Sequence, residues 1–200
     1  MGPGEHDDAI NEEFKAGTGQ SRKVDVFQLK VTLNYVKPPI WRRIQVTGDI
    51  TLSKLHQVIQ VVMGWDDEHL HHFVIDGTIY DEPDPDGMFD GINERTVTLG
   101  ELVPDEKTKF LYEYDFGDSW KHTILVEKIL PFDPDVCYPT CIKGKRACPP
   151  EDCGGVYGYY RILDVLEDPG DPEYEDMTCE GFDPKDFSID YINAMLGCID

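Results

Sequence analysis

The sequence predicts an α+β domain built on an antiparallel sheet, and three observations carry that prediction. Apolar residues alternate along pairs of segments joined by turn residues, one early segment has apolar residues at helical spacing, and the other long helical patterns fall late in the chain. Strands first and helices later favour one layered domain over alternating β and α units.

The elements follow in order. Residues 1–22 are polar, contain glycine and show little periodicity, so a flexible leader is expected ahead of a single domain spanning 23–200. From Val24, the run VDVFQLKVTLNYV alternates with one slip near Phe27, which reads as a long, bulged strand ended by Lys37-Pro38-Pro39. WRRIQV, residues 41–46, alternates again and should pair with it as an antiparallel hairpin. Thr51 or Ser53 can cap a helix whose apolar stripe is Leu52, Leu55, Val58, Ile59, Val62 and Met63, with Gly64 ending it. Asp76-Gly77 joins two short strands, 72–75 and 78–80, because both turn residues tolerate positive φ.

Residues 81–95 form an acidic loop rich in Pro and Gly, and 98–102 form a short helical turn. Lys109–Phe116 and Trp120–Ile129 make a third hairpin around Gly117-Asp118-Ser119. A Cys/Pro/Gly-rich connection covers 131–158, followed by helices near 157–167 and 188–196 with acidic turns between them. The expected architecture is thus a hairpin-built antiparallel sheet with an early packed helix and C-terminal helices.

Charge narrows the function classes. The formal net charge of −22 comes chiefly from residues 65–106 and 149–200, each −12, while residues 21–64 carry +5. Such a balance repels phosphate backbones and anionic lipid, so nucleic acid is a disfavoured partner and no membrane partner is expected. A small basic groove at Lys37, Arg42 and Arg43 remains open. No apolar run approaches the ~20 residues of a membrane-spanning helix. A cytoplasmic location is the expectation.

Four cysteines fall at the spacing Cys-x3-Cys-x6-Cys-x4-Cys from Cys137 to Cys153. Three readings fit: reduced structural thiols, a zinc site, or a disulfide. The zinc reading uses Cys141, Cys148 and Cys153, with Cys137 or a histidine as fourth ligand; full protein ligation would make it structural. The segment WDDEHLHHF holds the densest set of potential site groups, and alternation there puts His69 and His71 on one face and His72 on the other. YEYDFGDSWKH adds Asp115, Asp118, Trp120 and His122, which read either as an aromatic hairpin or as a pocket wall.

FQLKVTLNYVKPPIWRRIQV, LHQVIQVVMGWDDEHLHHF, YEYDFGDSWKHTI and CPPEDCGGVYGY, in that order, resemble the Ri-plasmid ORF-three-like family. The resemblance spans about Val24 to Leu196 and implies a compact α+β fold of roll type with no assigned substrate. It carries over motif positions rather than roles: Pro38, Pro39, Trp41, Arg42 and Arg43; Gly64, Trp65, His69 and His72; Tyr114, Asp115, Gly117, Asp118, Trp120 and His122; Pro149, Pro150, Glu151, Asp152, Gly154 and Gly155. Members are sometimes labelled insertion-element passengers or resolvases, which implies an association with mobile elements, yet this sequence has no serine-recombinase pattern.

Two functions follow as expectations. The first is a non-catalytic binding or interaction module for a protein or small-molecule partner. Its surface would combine Arg42, Arg43, His69, His72, Asp115, Asp118, Trp120, His122, Glu151 and Asp152. The second is a metal-dependent hydrolase or nuclease using His69, His72, Asp115, Asp118 or His122.

Overall fold

The computed structural model describes residues 24–83, 91–179 and 181–199, so the expected leader and the centre of the acidic loop lie outside the described residues. Among these residues, eight strands form one sheet: β1 (Asp25–Leu33), β2 (Trp41–Thr47), β3 (His71–Ile75), β4 (Thr78–Asp81), β5 (Ile92–Asn93), β6 (Lys109–Tyr114), β7 (Trp120–Pro131) and β8 (Thr140–Lys145). Their spatial order is β5-β4-β3-β6-β7-β1-β2-β8, antiparallel throughout except for the short β4–β5 pair. Among the described residues, five α-helices complete the fold, α1 (Leu52–Met63), α2 (Leu99–Leu102), α3 (Gly155–Glu167), α4 (Tyr174–Cys179) and α5 (Ile189–Leu196), with a short 3-10 helix at Glu94–Thr96. The α+β class and the single antiparallel-based sheet agree with the sequence reading.

Local chemistry explains most of the boundaries. Thr51 caps α1 by accepting from the Lys54 N–H, and Gly64 ends it at φ 88°, a conformation other residues adopt at a cost. The bulge expected in β1 near Phe27 lies instead on its partner β7, since β1 keeps an unbroken register with β2. Val26 and Phe27 are both buried, and the β1–β7 register shifts between Gln28 and Leu29. Gln28 faces Lys128 and Leu29 faces Val126, which leaves Glu127 as the extra residue of β7.

β8 and α4 form where the sequence predicts irregular connection. Only Cys141 is buried in β8, because an edge strand has little apolar alternation to show. α5 packs against both β8 and α1, and Gly144 lets the chain pass beneath it. A Cβ there would lie 2.4 Å from the Phe187 ring. One core joins Leu52, Leu55, Ile59 and Val62 of α1 to Leu29, Phe73, Tyr112 and Ile124 of the sheet.

Candidate functional site

Two histidine–carboxylate clusters sit where α1, the link from Gly64 to Leu70 and the start of β3 meet. The first lines a cavity of about 350 Å³ whose wall includes Ser53, His56, Asp67, His69, His71 and Glu94. His56 and His71 are buried, with rings stacked 3.4 Å apart and 2° from parallel. His56 Nε2 lies 2.7 Å from Asp67 Oδ1, and His71 Nε2 lies 2.9 Å from Glu94 Oε2. His56 Nδ1 meets the Tyr112 hydroxyl at 2.8 Å, and that oxygen accepts from Gln60 Nε2 at 2.9 Å.

The arrangement that satisfies every member runs in one direction. Gln60 donates to Tyr112, Tyr112 donates to His56 Nδ1, and His56 Nε2–H donates to Asp67. Burial, reinforced by neighbouring His71, lowers His56 to about 4, against the opposing pull of Asp67. Burial is the largest influence and would raise the Glu94 carboxyl, but the hydrogen bonds from His71 and Ser53 and the charges of His71 and His56 together outweigh it and hold the carboxyl below the usual range. Desolvation drives the Tyr112 phenol well up, so it stays protonated.

The second cluster draws on three separate sequence motifs. Asp115, at φ 56°, accepts from the backbone N–H groups of Gly117 (2.8 Å) and Asp118 (3.2 Å) through Oδ1. Its Oδ2 lies 3.9 Å from His69 Nε2. Glu151 Oε1 accepts from the Asp66 N–H and the Tyr114 hydroxyl, both at 3.0 Å, and its Oε2 lies 4.0 Å from His69 Nε2. Asp152, at φ 52°, places Oδ1 3.2 Å from the same nitrogen. Desolvation first, then the Glu151 carboxylate, push the Tyr114 phenol up.

The packing that brings these motifs together is specific. Trp65 stacks on Tyr114 and Trp120 while its Nε1–H donates to the Pro149 carbonyl at 3.0 Å. The Gly154 N–H donates to Asp118 Oδ2 at 3.1 Å. Gly155 follows at φ 68°, where a Cβ would come within 2.6 Å of the Asp118 carbonyl oxygen. The Gly-Gly pair is therefore what lets the start of α3 rest on the β6–β7 turn.

Sequence reasoning located His69, Asp115, Asp118, Glu151 and Asp152 at or beside this convergence, but other expected surface residues are elsewhere. Trp120 and His122 are fully buried, and burial pushes His122 down to about 3. They are core residues, because they share strand parity with Ile124 and Val126. Arg42 is also buried, donating to the carbonyls of Val62 (2.6 Å), Trp41 (3.0 Å) and Lys145 (3.2 Å). Arg43 is taken up by Glu127, with nitrogen–oxygen distances of 2.5 and 2.7 Å. The expected basic groove at Arg42 and Arg43 is thus replaced by a buried anchor and an ion pair. His72 faces away from His71, in register between Asp81 and Glu113, and its Nε2 is 3.6 Å from Glu113.

The cysteine zinc reading is corrected as well. Cys148 Sγ packs 3.5 Å from Met63 Sδ, Cys141 Sγ points to the Lys143 carbonyl, and Cys153 Sγ to that of Gly155. All three are free, and among the described residues no metal-competent group of three includes a cysteine. Burial pushes the thiols of Cys148 and Cys153 up to about 11. The groups that can converge on one ion are His56–Asp67–His71 and His69–Asp115–Asp152.

His56 and Glu94 were missed. His56 sits within the apolar stripe of α1, one position after Leu55 and four after Leu52. A titratable residue on a buried helix face was the available signal.

The comparisons with other proteins agree on kinship. A Sinorhizobium fredii chain described as uncharacterized protein y4hQ is 40% identical over 145 residues, 72% of this chain and 74% of that one. The crystal structure of MM3350 from Methanosarcina mazei Go1, described as a protein of unknown function, superposes with a TM-score of 0.75 at 38% identity. That superposition covers 84% of this chain and 97% of the other. No helix among the described residues is long and apolar enough to cross a membrane. The family model for the plasmid pRiA4b ORF-3-like protein matches residues 25–191, and the chain belongs to that family.

Proposed function

We propose that the protein is a binding module for a divalent transition-metal ion of the zinc class, held by His56, Asp67 and His71. The observation that carries this reading is the convergence of those three ligand atoms within 4.8 Å of one another on a cavity wall. Two imidazoles and a carboxylate suit borderline ions such as zinc, and three protein ligands leave positions open toward the cavity.

The ion would replace the proton that each imidazole shares with its carboxylate. His56 would then carry its proton on Nδ1 and donate to Tyr112, whose oxygen Gln60 already braces. A hydrogen-bonded outer partner of this kind fixes the ring and raises ligand affinity. Glu94, bonded to His71, is placed to accept the proton released there.

A second reading, a metal-dependent hydrolase for a small polar substrate, is favoured by the cavity itself. Its volume of about 350 Å³ exceeds what one ion and its waters fill. The test of the first reading is calorimetric titration of chelator-treated protein with zinc chloride. His56→Ala and the more exposed Asp67→Asn should each weaken one site at least tenfold while the circular dichroism spectrum is kept. No heat of binding in the wild type, or unchanged affinity in both variants, would overturn it. Turnover of ester or phosphodiester substrates by the zinc-loaded protein, lost in Asp67→Asn, would carry the second reading.

A further inference from the structure

We propose that His69, Asp115 and Asp152, with the Glu151 carboxylate beside them, form a second divalent-cation site, distinct from the His56–His71 pair, that takes a hard, oxygen-preferring ion of the manganese class. The division of labour within each carboxylate points there. Asp115 and Glu151 each spend one oxygen on the protein's own N–H or O–H donors and turn the other toward His69 Nε2. Fixing one oxygen by outer hydrogen bonds while the other faces inward is how protein cation sites orient their ligands.

A second, independent observation lies in what the inward atoms lack. His69 Nε2 and Glu151 Oε2 are both buried and make no hydrogen bond. The Asp115 side chain that faces them is only 8% exposed. Among the described residues, no lysine or arginine ion-pairs with Asp115, Glu151 or Asp152, and the side chain that faces all three is the His69 imidazole. Unpaired buried polar atoms cost stability, and a bound cation relieves them together.

The spacing fits one ion. Octahedral bonds of about 2.1 Å put neighbouring ligand atoms about 3 Å apart and opposite ones about 4.2 Å apart. The Asp152 oxygen lies 3.2 Å from His69 Nε2, near the neighbouring spacing, the Asp115 oxygen lies 3.9 Å away, near the opposite one, and the three ligand atoms fall within 4.8 Å of one another. One imidazole with two carboxylates is a harder donor set than the two imidazoles and one carboxylate of the cavity wall, hence the preference for manganese over zinc.

The test is titration of the full chain with manganese chloride, reading the loss of the free-ion electron paramagnetic resonance signal. One manganese per chain should bind. Asp152→Asn, at an exposed position that folding should tolerate, and Glu151→Gln should each weaken it at least tenfold, whereas Asp67→Asn should leave it within twofold. Zinc titrations of the same variants should show the reverse pattern, so failure here is separable from failure of the His56–Asp67–His71 reading. No bound manganese in the wild type would overturn the proposal. Unchanged binding in Asp152→Asn and Glu151→Gln, or equal losses in all three variants, would do the same, the last by showing a single shared centre.

Discussion

The two clusters use the same residue types to opposite effect. On the cavity wall, both Nε2 atoms and the Nδ1 atom of His56 have hydrogen-bond partners, and the rings are stacked. At His69 the donors and acceptors that could pair are near one another yet misaligned, leaving Nε2 and Glu151 Oε2 unsatisfied. A satisfied cluster can stand alone and exchange protons for a metal. An unsatisfied one is organised around something the polypeptide does not itself provide.

Breaking the scaffold of one cluster should leave the other standing. Gly155→Ala forces a positive-φ residue against the Asp118 carbonyl and should destabilise by about 3 kcal/mol, the largest of these effects. Denaturant unfolding would measure it. In the folded fraction, zinc affinity at the cavity wall should persist while manganese binding fails.

Tyr112→Phe attacks the other cluster. It strips His56 Nδ1 and Gln60 Nε2 of their buried partner and should cost about 2 kcal/mol. Manganese binding should survive while zinc affinity falls, as competition with a chromogenic zinc chelator would show.

The acid limb of stability sharpens the comparison from beneath. His122 is held neutral down to about 3 in the folded protein, whereas an exposed imidazole titrates near 6.5. Between those values the unfolded chain binds the proton and the folded chain does not, so stability falls as pH drops below about 6.5. The slope is about 1.4 kcal/mol per pH unit for each such proton. His122→Phe should flatten this limb, seen as a smaller drop in Tm between pH 7 and pH 5.

The smallest effect concerns the partly exposed Arg43–Glu127 pair. Glu127→Gln should cost under about 1 kcal/mol, since such pairs are screened by solvent. Salt should erase most of it in the same unfolding assay.

How much of this was written locally can be judged from single residues. The hairpins and the Thr51 and Gly64 caps depend on near neighbours, and all are readable. Arg42 was misread as surface although it shares parity with Ile44 and Val46 in β2, a signal that its guanidinium turns inward. His122 was misread in the same way beside Ile124. His56 was hidden because a helix stripe is defined by its apolar members. Glu94 was hidden because an acidic loop offers no reason to single out one acid. The meeting of His69, Asp115 and Glu151 depends on Trp65 reaching Pro149, a contact across 84 positions that no local pattern encodes.

The central claim is that each cluster holds its own ion, and crystals grown with zinc and manganese would test it most directly by anomalous scattering. The account predicts two peaks, a zinc peak within bonding distance of His56 and His71 and a manganese peak beside His69 and Asp152. A single peak, or none at either cluster with metal found instead at Cys141, Cys148 or Cys153, would contradict it.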